Sequence, residues 1–134
     1  MENCIFCKIS KGEIPCAKIW EDDNFIAFLD INPVTEGMTL VIPKEHCDSY
    51  VFNNKDKTVK SLIEATKKVA QLLKNYLGVE RVALIFEGIE INHLHAKLLP
   101  LKAGESIRKL LNSNYPKPET EDLNKLALKI ANLL

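Results

Sequence analysis

The chain has 134 residues, of which 46% are hydrophobic and 27% charged, enough apolar material for one core and too much for a disordered chain. Lys plus Arg and Asp plus Glu each total 18, so no net field draws the protein to nucleic acid or an anionic membrane, and any phosphate chemistry has to be local. Residues 1–11 lack the basic start and apolar run of a signal peptide, and no stretch nears the roughly 20 apolar residues that span a bilayer; the expected setting is the cytoplasm.

In chain order, Cys4 to Ser10 reads as one or two helical turns ending near Gly12. Lys18 to Glu21 is a short strand, and Glu21-Asp22-Asp23-Asn24 a turn cluster. Phe25 to Leu29 is an apolar strand, Asp30 to Gly37 a loop, and Met38 to Ile42 a buried strand ending at Pro43. Thr58 to Leu77 is the strongest helix: Val59, Leu62, Thr66, Val69, Leu73 and Tyr76 recur at helical spacing, and Gly78 suits its C-cap. Arg81 to Phe86 and His93 to Leu99 read as the last two strands, with a turn holding Gly88 between them. Ser113 to Pro118 is rich in turn formers, and Glu119 to Leu134 is a second amphipathic helix with Leu123, Leu126, Ala127, Ile130 and Leu134 on one face. Strands, helix, strands, helix in that order predict an α+β fold: an antiparallel sheet with one long helix packed on it and a C-terminal helix. The chain is expected to be one domain over 1–134, with its core at about 4–101 and an extension at about 102–134.

Only three histidines occur: His46, His93 and His95. On a strand, His93, His95 and Lys97 share one face and Leu94, Ala96 and Leu98 the other. Two imidazoles and an amine side by side suit an anion or a metal; the bland reading is a solvated strand face. His46 follows a buried strand and either converges on the same place or sits in a loop. Cys4 and Cys7 stand at C-x-x-C spacing, and Cys16 and Cys47 fit no ligand pattern, Cys47 being the one next to His46. Cys4, Cys7, His46 and His93 would make a tetrahedral zinc set, against free thiols or a redox pair. A redox pair would want a βαβ context, which the pattern lacks.

Taken together, Cys4-Ile5-Phe6-Cys7-Lys8-Ile9, Gly12-Glu13-Ile14-Pro15, Ala27-Phe28-Leu29-Asp30-Ile31-Asn32-Pro33, Val41-Ile42-Pro43-Lys44-Glu45-His46 and His93-Leu94-His95-Ala96-Lys97-Leu98-Leu99-Pro100 resemble the histidine triad (HIT) superfamily. The resemblance covers about residues 4 to 101. It implies a homodimer that binds a purine nucleotide or nucleotide conjugate at one end of the sheet. It also implies hydrolysis or transfer of nucleoside 5′-phosphate groups, on phosphoramidates, dinucleoside polyphosphates or similar, through a nucleotidylated histidine.

By motif position His95 matches the nucleophile. A neutral imidazole, with an ordinary pKa near ~6.5, can attack phosphorus and later be displaced by water. Lys97 stands where the family's best-known branches carry a third histidine, and the phosphate-holding glutamine or serine before the triad is missing. Lys97 and Asn92 are therefore the expected phosphate-binding groups, with Glu90 a partial substitute. An ammonium can bind phosphate oxygen but shuttles protons less readily than imidazole. Asp30 suits the two hydroxyls of a ribose, and Ile5, Phe6, Ile9, Leu29 and Ile31 match positions that sandwich the base, with Ile9 and Leu29 equally readable as core. The C-x-x-C branch of the superfamily implies structural Zn2+ on Cys4, Cys7, His46 and His93. The rival reading is a nucleotide-binding or sensing module with little turnover.

Overall fold

The computed structural model describes residues 3–133. Five strands form one antiparallel sheet in the order β1-β2-β3-β5-β4: β1 (Lys18–Glu21), β2 (Phe25–Leu29), β3 (Thr39–Pro43), β4 (Arg81–Ile85) and β5 (Ala96–Leu101). Every residue of β2 and β3 is buried, because both faces of the sheet are covered. On one face Phe25, Ala27, Leu29, Val41, Leu94, Ala96 and Leu98 pack with Leu62, Val69 and Leu73 of helix α2 (Asp56–Leu77) and with Leu123, Ala127 and Ile130 of helix α4 (Thr120–Ala131). On the other, Ile26, Phe28, Leu40 and Ile42 pack with Phe6 and Ile9 of helix α1 (Ile5–Ser10).

The long helix starts two residues before the expected Thr58 and ends at Leu77 as its pattern predicts. Its buried residues are Leu62, Ala65, Thr66, Val69, Leu72 and Leu73, a stripe at i, i+3, i+4 and i+7. Gly78 takes the left-handed conformation, φ 66°, and donates its N–H to the Lys74 carbonyl at 2.9 Å, the cap that glycine allows. The C-terminal helix runs from Thr120 to Ala131; Leu134 lies outside the described residues. A five-residue helix α3 (Ile107–Leu111), N-capped by the Ser106 hydroxyl, stands where the sequence suggests no element. Its Leu110 packs against Met38, Leu99 and Leu101.

The last strand is a correction. It spans Ala96–Leu101, so His93 and His95 precede it. The reason lies at Pro43. The ladder reaches Val41 opposite Ala96; two residues further along β3, proline has no N–H to offer, and its carbonyl accepts instead from His93 Nε2 at 2.8 Å. Leu94 N–H turns to the Cys47 carbonyl at 2.9 Å. The alternation survives the lost pairing: Leu94, Ala96 and Leu98 are in the helix-side core.

Gly88 sets the connection from β4 to β5. Its φ is +71°, and a Cβ there would stand 2.3 Å from the Ser49 carbonyl oxygen. Only glycine permits that conformation and approach together, which presses the connection against the segment holding His46.

Candidate functional site

Two adjoining arrangements are built on the α1 face of the sheet. The first gathers Cys4, Cys7, His46 and His93, whose candidate ligand atoms all lie within 4.8 Å of one another. Cys4 is the N-cap of α1 and its sulfur accepts from Cys7 N–H at 3.4 Å, so one helical turn brings both sulfurs to one side. His46 follows β3. His93 arrives 86 residues after Cys7, held by Pro43.

A carbonyl can only accept, so the 2.8 Å contact to Pro43 puts the proton on His93 Nε2 and leaves the Nδ1 lone pair. That lone pair faces Cys4 Sγ at 3.3 Å and Cys7 Sγ at 3.5 Å, and Cys7 Sγ is 3.3 Å from His46 Nδ1. Bonds of ~2.3 Å to sulfur and ~2.0 Å to nitrogen give tetrahedral S···N edges of about 3.5 Å, so the donor set fits zinc in spacing and in chemistry. The carbonyl behind the ligating imidazole is the usual support for such a histidine. Burial, with Cys4 beside it, raises the Cys7 thiol above its ordinary range, and burial likewise lowers His93.

The second arrangement is a cavity of about 470 Å³, a size suited to a small ligand. His95 lines it and is buried. Its Nδ1 donates to the His93 carbonyl at 2.7 Å, which leaves the lone pair on Nε2. The two histidines thus hold opposite tautomers. Burial holds the His95 ring below the usual histidine range, with Lys97 adding to the effect and the His93 carbonyl opposing it; the ring is neutral at neutral pH. Phe6 packs edge-on against His95, ring centres 5.2 Å apart, and against His93 at 5.9 Å, so one aromatic side chain fixes both.

The register explains the rest of the wall. Phe28 pairs with Leu40, Leu40 with Lys97, and Lys97 with Ile85, and all four line the cavity. Lys97 Nζ stands 3.8 Å from Glu87 Oε1. Ile5, Phe6, Ile9, Leu29, Asp30 and Ile31 line the same cavity. Ile5 and Ile31 are 44% and 61% exposed, at its rim, whereas Leu29 at 1% belongs to the helix-side core. Asp30 uses one carboxylate oxygen on Asn32 N–H at 2.8 Å.

Asn92 is exposed and lies outside the cavity; Glu87, Glu90 and Ile91 of the same connection line it instead. Of the two remaining cysteines, Cys16 lines the cavity and Cys47 does not. Phe28 and Leu40 are wall residues that the sequence reading missed, although strand alternation puts both on the α1 face.

These features define an α+β protein with a closed Cys2His2 cluster beside a histidine-centred cavity. The chain belongs to the HIT domain family, whose match spans residues 11–104. It is similar to the adenosine 5′-monophosphoramidase hnt1 of Schizosaccharomyces pombe, 37% identical over 100 residues that cover 73% of this chain and 74% of that protein. Among solved structures it resembles a Hit-like protein from Bartonella henselae, with a TM-score of 0.83 and 30% identity over 100% of this chain and 98% of that one. It also resembles a Zn-bound histidine triad family protein from Mycobacterium smegmatis, with a TM-score of 0.77 and 28% identity over 98% and 96% of the two chains.

Proposed function

We propose that this protein is a nucleotide-binding hydrolase or transferase acting on the α-phosphate of nucleoside 5′-phosphoramidates, dinucleoside polyphosphates or related conjugates, with His95 as nucleophile. The observation that carries the reading is the 2.7 Å bond from His95 Nδ1 to the His93 carbonyl, because it leaves the unprotonated Nε2 available for attack on a residue that lines a cavity of small-ligand size. The relative from S. pombe, named a monophosphoramidase, supports the class of reaction.

In the first step the Nε2 lone pair forms a bond to Pα while the bond to the leaving group breaks. In the second, a water oxygen bonds to Pα as the Nε2–Pα bond breaks; the electron pair returns to Nε2 and the water's proton leaves with the product phosphate or to solvent. Lys97 neutralises charge on the phosphate oxygens, Asp30 accepts from the ribose hydroxyls with the oxygen that Asn32 leaves free, and Phe6, Ile9 and the rim residues Ile5 and Ile31 hold the base. Cys4, Cys7, His46 and His93 would hold zinc, which would supply structure alone, since four protein ligands would leave no open position. The protein works as a homodimer; β4 is an edge strand with Leu84 exposed, and such an edge is readily extended by a second copy. A sensing module with little turnover is the second reading, favoured by Lys97 in the place of a third histidine.

Mixing the protein with an adenosine 5′-phosphoramidate and quenching within one turnover is expected to give an adenylyl adduct, located on His95 by peptide mass spectrometry. Turnover without any such adduct would remove the covalent mechanism; nucleotide binding without turnover would favour the sensing module.

Asp30→Asn is expected to weaken AMP binding by about tenfold, the worth of one charge-assisted hydrogen bond, and to weaken dAMP binding less, because dAMP has only the 3′-hydroxyl to give that carboxylate. Equal losses for both nucleotides in calorimetric titrations would take the ribose away from Asp30.

A further inference from the structure

Lys97 lines the cavity beside Glu87. Among the described residues that line it, the ionisable side chains are Asp30, Glu87, Glu90, Cys16, His95 and Lys97. His95 has one ring nitrogen tied to a carbonyl, and the functional reading above uses the other for attack. His46 and His93 face the cysteines and do not line the cavity. Lys97 is thus the one cation on the wall, 22% exposed, and its contact to Glu87 is 3.8 Å, an ion pair too long to be a hydrogen bond. Its N–H donors therefore remain available to a ligand. Glu87, two residues past β4, stands beside the ammonium and is read as a positioning residue.

We propose, resting on the functional reading above, that Lys97 selects substrates in which the group leaving Pα departs as a weakly basic oxyanion: mixed anhydrides joining a nucleoside 5′-monophosphate to a carboxylate, sulfate or phosphate, in preference to amine phosphoramidates. The bookkeeping differs between the two classes. With a mixed anhydride, the Nε2–P bond forms, the P–O bond breaks, and the electron pair leaves on an oxygen that is stable as an anion. No proton has to move, and a fixed positive charge beside the bridging oxygen is the whole requirement. With a phosphoramidate, the P–N bond breaks and the nitrogen has to collect a proton as it leaves. A lysine ammonium acts as a point charge and an imidazole as a proton donor near neutral pH; carboxylate oxygens accept, and the Cys16 thiol, raised above its ordinary range by burial, is only a weak donor. The wall therefore stabilises an anion well and supplies a proton poorly. In both cases water then attacks Pα, its proton leaves with the product phosphate or to solvent, and His95 is regenerated.

The test compares kcat/KM for adenosine 5′-phosphosulfate and adenosine 5′-phosphoramidate, each divided by its uncatalysed rate, in the unmodified protein, Lys97→His and Lys97→Met. The unmodified protein is expected to favour the phosphosulfate by at least about 100-fold, the usual scale of one acid–base contribution. Lys97→His is expected to narrow that ratio by about tenfold or more by raising phosphoramidate turnover. Lys97→Met should narrow it by losing phosphosulfate turnover. A merely structural lysine would depress both substrates together and leave the ratio unchanged. An unmodified protein that treats both substrates alike, or a ratio that neither variant moves, overturns the inference while leaving the His95 mechanism in place. If the variants do not fold, the ratio in the unmodified protein alone decides. Absence of a His95 adduct from either substrate overturns the functional reading itself, and the inference with it.

Discussion

His95→Ala is expected to abolish the adenylyl adduct and to cut single-turnover cleavage of an adenosine 5′-phosphoramidate by at least about 10³-fold, the scale seen when a covalent nucleophile is removed. The size follows from what the ring alone supplies. Its Nδ1–H is held by the His93 carbonyl at 2.7 Å, its face is fixed by Phe6, and burial keeps it neutral, so the nucleophile needs no deprotonation and little reorientation before it attacks. Removing it leaves binding by Lys97, Asp30 and the apolar wall, and AMP affinity should stay within about tenfold, roughly 1.4 kcal/mol. Because the ring is also packed, His95→Ala opens a void and will cost some stability. His95→Asn separates the two effects, since an asparagine amide can still donate to the His93 carbonyl but has no lone pair to place at Nε2. Both variants should bind and neither should turn over. Either one retaining a rate within about tenfold of the unmodified protein, a loss of under about 1.4 kcal/mol in the barrier, would end His95's role as nucleophile.

Much of this site could be read from residue order, for reasons that differ by element. The pairing of His93 with His95, and of Leu94 with Ala96, is a period-2 signal that holds in any extended chain. It therefore survived even though the ladder stops at Ala96 and the histidines stand outside it. Where that stop falls depended on the Pro43 carbonyl being taken by an imidazole fifty residues away, which no local pattern records. Asn92 is a related case: its residue type suits phosphate, but it sits in an irregular connection whose path is set by the close approach of Gly88 to Ser49, and it is exposed and outside the cavity lining. Helix α3 has five residues, too few for a periodicity to show, although Ser106 was a legible cap. The place of Phe28 is legible in the sequence. The alternation that buries Ala27 and Leu29 under the long helix puts Ile26 and Phe28 on the opposite face, where the histidines are. For Leu29 the core role is the stronger one, and it reaches the cavity only from the strand end.

The purified protein is expected to carry one zinc ion per chain, and stripping it with a strong chelator should lower Tm by more than about 10 °C. An ion held at about 1,000 times its dissociation constant contributes about 4 kcal/mol, and in a chain of this length each kcal/mol is worth roughly 3 to 5 °C. The arrangement explains why so much rides on four side chains. They tie the N-cap of α1 to the end of β3 and to the start of β5, positions 39 and 86 residues apart from Cys7, and closing loops of that length is entropically costly for an unfolded chain. Without the ion, the core beneath α1 rests on Phe6 and Ile9 against Ile26, Phe28, Leu40 and Ile42. Cys7→Ser should reproduce the chelator's effect, because a hydroxyl is a poor partner for zinc where a thiolate is a good one. Turnover should fall with the metal as well, since His93 would hold zinc through its ring and supports His95 through its carbonyl; a shift in the ring would move the carbonyl that sets the His95 tautomer. Metal content by native mass spectrometry and melting by circular dichroism read the two consequences separately. A protein that purifies free of zinc, with Cys7→Ser melting at the unmodified temperature, would leave the four residues as a thiol–imidazole cluster that holds α1 by hydrogen bonds alone.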